Sequence, residues 1–217
     1  MTTLILVRHG QSVGNVLEVF CGQKDYPLTE RGKMQAELTA AYLKEHYQIE
    51  RIYSSDLSRA MQTALPTAEA FGLEIIPAKE LREIASGVFE GFGRGQMEEV
   101  QPELLFAWTE GGAIAPEGAE THPQLKVRIE SFLKRLLEEE KGNCVALFAH
   151  WGGIYKILRF LVDHSPALEL DLSRIQLPNA SVTAFRLLDN GQVESVLDLS
   201  YEEHLGNLAT ESPKGLL

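Results

Sequence analysis

Leu4-Ile5-Leu6-Val7-Arg8-His9-Gly10 is the stretch on which the reading of this chain turns. Four apolar residues predict a short buried strand, and the run stops abruptly on a cation, an imidazole and a glycine. In open α/β sheets ligands sit just beyond the carboxyl ends of the strands, so the pattern puts Arg8 and His9 at a site rather than in the core. Gly10 lets the backbone turn tightly and approach a ligand closely.

Working outward, Cys144-Val145-Ala146-Leu147-Phe148-Ala149 is the most apolar run in the chain and predicts a central strand covered on both faces. It too ends on a histidine, His150, followed by Trp151-Gly152-Gly153 and by Ile154, Ile157, Leu158 and Leu161 at helical spacing. Ile52-Tyr53 and Glu74-Ile75-Ile76 predict two further short strands. Thr29 reads as an N-cap, with Met34, Leu38, Ala41 and Tyr42 marking the helical face behind it. Leu57, Ala60, Met61, Ala64, Ala68 and Phe71 mark another face, stopped at Gly72 and expected to be kinked or interrupted at Pro66. Leu125, Ile129, Phe132, Leu133 and Leu136 form a long amphipathic face. Segments 181–187 and 192–198 read as strands joined at Asp189-Asn190-Gly191, a strong hairpin signal. This alternation predicts an α/β fold, a three-layer αβα sandwich with a mostly parallel central sheet and an antiparallel edge. One domain over 1–217 is expected, with a cap-like insertion of loop and helix at about 86–120, where glycines, acids and prolines cluster.

The informative feature is a coincidence of endings. Two apolar strands terminate in His9 and His150, and the turn Ser54-Ser55-Asp56-Leu57-Ser58-Arg59 places Arg59 at the start of a helix. If these strands are neighbours, two imidazoles and two guanidiniums converge at one edge of the sheet. Arg8 and Arg59 offer planar donor forks suited to phosphate oxygens, and nearby helix N-termini would add backbone N–H groups. One imidazole could then attack phosphorus while the other donates to its oxygens.

Composition sets the limits. The 217 residues carry 31 acids against 20 bases, a formal charge of −11. That balance argues against nucleic acid or an anionic membrane surface as partner. Any anion site here must gather its cations locally. No stretch approaches a membrane span, and the N-terminus lacks the basic, apolar and small-residue succession of a signal peptide. Cys21 and Cys144 have no metal-ligand spacing, so a cytoplasmic protein with reduced thiols is expected. No cofactor and no metal are called for. His9, His150 and Glu83 could make a triad of ligands, but the arginines beside them would repel a cation. His46, His122, His164 and His204 are expected at the surface or at helix ends. Cys21 reads as a packing residue or backbone contact.

With these residues in hand, a resemblance emerges. Leu6-Val7-Arg8-His9-Gly10-Gln11-Ser12 with Asn15 looks like the opening motif of the histidine phosphatase (phosphoglycerate mutase-like) superfamily. Pro27-Leu28-Thr29-Glu30-Arg31-Gly32, the run from Tyr53 to Ala64, Leu81-Arg82-Glu83-Ile84 and Ala149-His150 with Gly152 continue the pattern in order. Pro178-Asn179-Ala180-Ser181 and His204-Leu205 resemble its closing segments. The resemblance implies that His9 takes the phosphoryl group as a phosphohistidine, that Arg8, Arg59 and His150 hold its oxygens, and that Glu83 serves as general acid, then base. Asn15, Cys21 and Gly22 correspond to positions that touch the phosphate or orient the site. Three residues depart from the pattern: Trp151 stands where glycine is usual, Tyr155 where arginine is common, and Gln11 where glutamate is more frequent.

Between Glu83 and Lys126 the only arginine or lysine is Arg94. A mutase must grip a second anionic group, so this shortage favours a phosphatase acting on small phosphate esters. Phe89, Phe92, Phe106 and Trp108 could wall in the rest of the ester, although core packing is the expectation for at least two of them. A phosphoglycerate mutase and a non-catalytic phospho-ligand module are the alternatives; the intact set of five polar residues speaks against the last. A homodimer is compatible with this reading, which leaves oligomeric state open.

Overall fold

In the computed structural model, which describes residues 1–109 and 114–210 apart from the side chains of Arg94 and Val100, β1 (Thr2–Arg8) lies inside the sheet. Its residues Leu4 to Val7 are at most 1 % exposed. The remaining strands are β2 (Arg51–Ser54), β3 (Ile75–Pro77), β4 (Cys144–Ala149), β5 (Val182–Leu187) and β6 (Val193–Tyr201). Among the described residues they form one sheet in the order β3-β2-β4-β1-β5-β6. The first four in that order are parallel, and β5 and β6 are antiparallel additions joined as the hairpin that the sequence predicts.

Alternation along the central strands divides the core in two. Leu4, Leu6, Val145 and Leu147 face one way, onto α6 (His122–Glu139) and α7 (Trp151–His164). Ile5, Val7, Ala146 and Phe148 face the other, onto α2 (Glu30–His46) and α3 (Ser58–Phe71). Residues two apart share a face of a strand, so one apolar run fills both cores and the expected three layers result. Segment 86–120 holds α4 (Arg94–Val100) and α5 (Pro102–Thr109), while α1 (Val13–Val16) follows the opening motif.

Register positions the site. Arg8 stands opposite Ala149 and Ser54 opposite Phe148, so β1, β4 and β2 end side by side. His9, His150 and Ser55 therefore leave the sheet at one edge.

Two expectations are corrected. Helix α2 buries Gln35, Ala36, Thr39, Ala40 and Leu43, whereas Met34, Leu38 and Ala41 are exposed. Small residues let α2 lie close to its neighbours, and the larger apolar side chains were the misleading signal. Pro66 does not break α3, which runs unbroken to Gly72. The carbonyl four residues earlier, at Gln62, loses an N–H donor, but the partly exposed flank of the helix leaves water to replace it. His122 is at a helix end as expected but is buried, only 6 % exposed. Within segment 86–120, Phe89 and Trp108 are core, and Phe92 and Phe106 are exposed. The side chain of Arg94 lies outside the described residues.

Candidate active site

Arg8 and His9 are fixed by the strand end that carries them. The His9 amide donates to the Ala149 carbonyl at 3.0 Å, joining the two strand ends across the sheet. The His9 carbonyl accepts from the Ala180 amide at 3.2 Å and from Asn179 Nδ2 at 3.0 Å. Gly10 follows, its amide donating to Thr63 Oγ1 at 2.9 Å, while that hydroxyl donates to the Arg59 carbonyl at 2.6 Å. One threonine thus ties the end of β1 to the first turn of α3, and so Arg8–His9 to Arg59.

The two imidazoles meet. Their ring centroids are 5.1 Å apart with planes inclined at 55°. His9 Nδ1 lies 2.8 Å from the Gly10 carbonyl. A carbonyl can only accept, so Nδ1 carries the proton and Nε2 keeps a free lone pair. His150, the N-cap of α7, holds Nε2 at 2.8 Å from Ser55 Oγ, and its Nδ1 is buried with no partner among the described residues. Burial, then the charge of Arg59, holds both histidines well below the ordinary imidazole value, with Arg8 adding to the effect. Both rings are therefore neutral near pH 7.

Arg8 and Arg59 are 3 % and 1 % exposed, and among the described residues neither forms an ion pair. Arg8 Nη1 donates to the Leu177 carbonyl, and Arg59 donates to the carbonyls of Gly22 and Lys24 at 2.9 and 3.1 Å. Among the described residues the Nε of each arginine has no partner. Burial lowers Arg8 to about 10 and lowers Arg59 as well. An unpaired buried charge is costly, and an anion bound between the guanidiniums relieves that cost.

Glu83 completes the cluster. One carboxylate oxygen accepts from the Ile84 amide at 2.9 Å, and the other accepts from the Gly152 amide at 3.3 Å in the first turn of α7. Its backbone carbonyl accepts from Gln23 Nε2 and from Arg128 Nη2, each at 3.3 Å. The predicted set Arg8, His9, Arg59, Glu83 and His150 thus comes together at one edge of the sheet.

Of the three remaining candidates, Asn15 lies in α1, and Cys21 and Gly22 lie in the loop that follows it. Asn15 Oδ1 accepts from the Ser12 amide and hydroxyl, both at 2.9 Å, closing the cap of α1. Cys21 Sγ reaches the Val19 carbonyl at 3.6 Å in the notch left by Gly14, and burial raises its thiol. Gly22 offers its carbonyl to Arg59. Sequence reasoning missed Ser55, Thr63 and Gln23 as site-builders, and a buried hydroxyl inside a recognised motif was the only signal available for the first two. Among the described residues no group of three or more acids, histidines or cysteines could hold a metal ion, and no helix is long and apolar enough to cross a membrane.

This geometry agrees with what comparison of the chain finds. The model of the histidine phosphatase superfamily (branch 1) matches residues 4–198. The chain belongs to that superfamily. Phosphoserine phosphatase 1 of Hydrogenobacter thermophilus is 31 % identical to it over 221 residues, covering all of both chains. A Yersinia enterocolitica protein described as a probable phosphoglycerate mutase is 35 % identical, covering 84 % of each. Among solved structures, mycobacterial glucosyl-3-phosphoglycerate phosphatase superimposes on this histidine phosphatase with a TM-score of 0.76 at 27 % identity, covering 92 % of this chain and 99 % of that one.

Proposed function

We propose that this histidine phosphatase is a metal-independent phosphomonoesterase acting on small phosphate esters through a phosphohistidine. The observation that carries the reading is a pair of buried guanidiniums without a carboxylate partner among the described residues, set beside two neutral imidazoles. Arg8 and Arg59 supply the positive charge that the transferring phosphoryl group needs. His9 Nε2 has the free lone pair and attacks phosphorus; the P–O bond to the ester oxygen breaks, and Glu83 delivers its proton to that oxygen. Water then attacks the phosphohistidine, Glu83 takes its proton, and phosphate leaves with the P–N bond broken. His150 binds a phosphoryl oxygen throughout. Asn15, Cys21 and Gly22 shape the loop around the bound group. Free Cys21 and Cys144 fit the cytoplasmic placement that the sequence suggests.

Phosphoglycerate mutase is the second reading, favoured by the 35 % identical relative. Both share the first half-reaction and differ in whether the phosphoryl group passes to water. The shortage of basic residues between Glu83 and Lys126 supports water. The test is hydrolysis of p-nitrophenyl phosphate with chelator present, with acid-labile, base-stable labelling of the protein by a radioactive phosphodonor. Turnover and label are both expected, and both are lost in His9→Ala. Retained turnover in that variant overturns the mechanism, and conversion of 3-phosphoglycerate to its 2-isomer faster than its hydrolysis transfers the protein to the second reading.

A further inference from the structure

Ser55 is completely buried, and so is His150. The Ser55 amide donates to the Phe148 carbonyl at 2.9 Å, which pins this residue of the β2–α3 turn to the end of β4. From there its Oγ reaches His150 Nε2 at 2.8 Å and accepts a longer bond, 3.4 Å, from the Leu57 amide. The direction of the Ser55–His150 bond follows from proton supply. The Leu57 N–H already serves the hydroxyl as a donor. Among the described residues no other acceptor lies within reach of the hydroxyl hydrogen. Were Nε2 protonated, that hydrogen would be stranded in a buried position, at the full desolvation penalty of an unmade bond. The hydroxyl therefore donates to a bare Nε2, and the single proton of the neutral ring sits on Nδ1.

We infer that Ser55 is a positioning residue that locks His150 as the Nδ1–H tautomer, so that a neutral imidazole presents an N–H donor to the phosphoryl group. The inference rests on the phosphoryl-binding reading of the site and explains a division of labour within it. His9 and His150 carry their protons on the same ring atom but are turned opposite ways. His9 spends Nδ1–H on the Gly10 carbonyl and keeps the Nε2 lone pair for phosphorus. His150 spends Nε2 on Ser55 and keeps Nδ1–H for an oxygen. A bare nitrogen facing the anion would repel it, whereas a fixed N–H donor costs no reorganisation when charge builds up on phosphorus. The second-site hydroxyl thus does for this imidazole what a hydrogen-bonded partner does for a metal-ligating histidine: it chooses which nitrogen works.

The test uses full-length protein labelled with ¹⁵N-histidine and freed of phosphate. Long-range ¹H–¹⁵N correlation spectra report which ring nitrogen is protonated. Wild type is expected to show His150 as the Nδ1–H form, which Ser55→Thr retains. Ser55→Ala is expected to move it toward the Nε2–H form favoured by a free histidine side chain in water, to weaken inorganic phosphate binding and to lower kcat/KM, each by about tenfold, the worth of one hydrogen bond of this kind. Recovery of both quantities in Ser55→Thr separates the tautomer from a general loosening of the turn. An Nε2–H signal for His150 in wild type overturns the inference without any variant, and so does an Ala variant with unchanged tautomer and unchanged phosphate affinity. Since the spectra need no turnover, a wild type that shows the Nδ1–H form yet hydrolyses nothing overturns the phosphatase reading alone.

Discussion

Arg82 grips Asp56 with both arms of its guanidinium, Nε to Oδ1 at 2.6 Å and Nη2 to Oδ2 at 2.7 Å. The fork fastens the β2–α3 turn, which carries Ser55 and leads into Arg59 in the first turn of α3, to the residue immediately before Glu83. Arg82 holds the Asp56 carboxyl below its ordinary range, chiefly by hydrogen bonding. A carboxyl depressed on folding stabilises the protein above its unfolded pKa, about 3.9, and the contribution disappears as pH falls through the folded value. Asp56→Asn should therefore lower stability by roughly 1–2 kcal/mol at neutral pH, a value discounted for the partial exposure of the pair. Denaturant midpoints measured from pH 7 down to pH 3 should show the gap to wild type intact until about pH 4 and closing below it. A gap that widens on acidification would contradict the assignment.

Glu83 is held by two backbone amides, one of them in the same helical turn as His150. An acid that protonates the departing oxygen matters most when that oxygen is a poor leaving group. Glu83→Gln keeps the size and the acceptor of the side chain but removes the proton, so kcat should fall about 10²–10⁴-fold on alkyl phosphates. On p-nitrophenyl phosphate, whose phenolate leaves unaided, formation of the phosphohistidine should survive far better and show as a burst of nitrophenolate. Equal losses on both esters would remove Glu83 from the role.

Much of this was legible in the sequence, for definite physical reasons. A parallel strand covered on both faces must be apolar throughout, so its polar successors, Arg8-His9 and His150, mark the end of the sheet by contrast alone. Hairpin chemistry at Asp189-Asn190-Gly191 is equally local. What stayed hidden depended on partners far away in the chain. Thr63 and Ser55 bond across elements, to Gly10 and His150, and no spacing rule announces such pairs. The buried face of α2 was misread because close packing selects Ala36 and Ala40 over the bulkier Met34 and Leu38. Pro66 leaves α3 uninterrupted because a proline on a half-exposed flank loses one bond that water can replace.

Neutral buried histidines tie stability to pH. His9 and His150 are held well below the ordinary imidazole value, and burial lowers His122 and His204 to about 4. Unfolded, these rings take up protons near pH 6.5 that the folded protein refuses. Stability is then full above about pH 6.5 and falls as pH drops, with a limiting slope of about 1.4 kcal/mol per pH unit for each fully buried ring. Urea midpoints at pH 7.5 and 5.5 should differ in that direction. Inorganic phosphate at about one hundred times its Kd should raise the midpoint at pH 7.5, being worth about 2.7 kcal/mol, and the rise should vanish in Arg59→Ala. Equal midpoints at the two pH values would show that the rings are already charged in the folded state.

Gly22 joins loop geometry to the cation that the site depends on. Its φ of +49° is left-handed, and a Cβ there would stand 2.4 Å from Glu90 Oε1 and 2.8 Å from the Ser86 amide nitrogen. Glu90 has little freedom to retreat, because the same oxygen accepts from the Gln23 amide at 2.7 Å. Gly22→Ala therefore combines backbone strain with a clash, roughly 1–3 kcal/mol in all. The loop must shift, and the Gly22 carbonyl shifts with it, away from Arg59 Nη2. Arg59 then loses one of the two carbonyls that aim it, so the variant should bind inorganic phosphate several-fold more weakly in calorimetry as well as unfold at a lower temperature. Gly72→Ala supplies the comparison, since its φ of +66° is strained in the same way but nothing lies within 4 Å of the added carbon. That variant should lose stability and keep its phosphate affinity. If both variants lose affinity alike, strain alone is responsible and the carbonyl of Gly22 has no part in aiming Arg59.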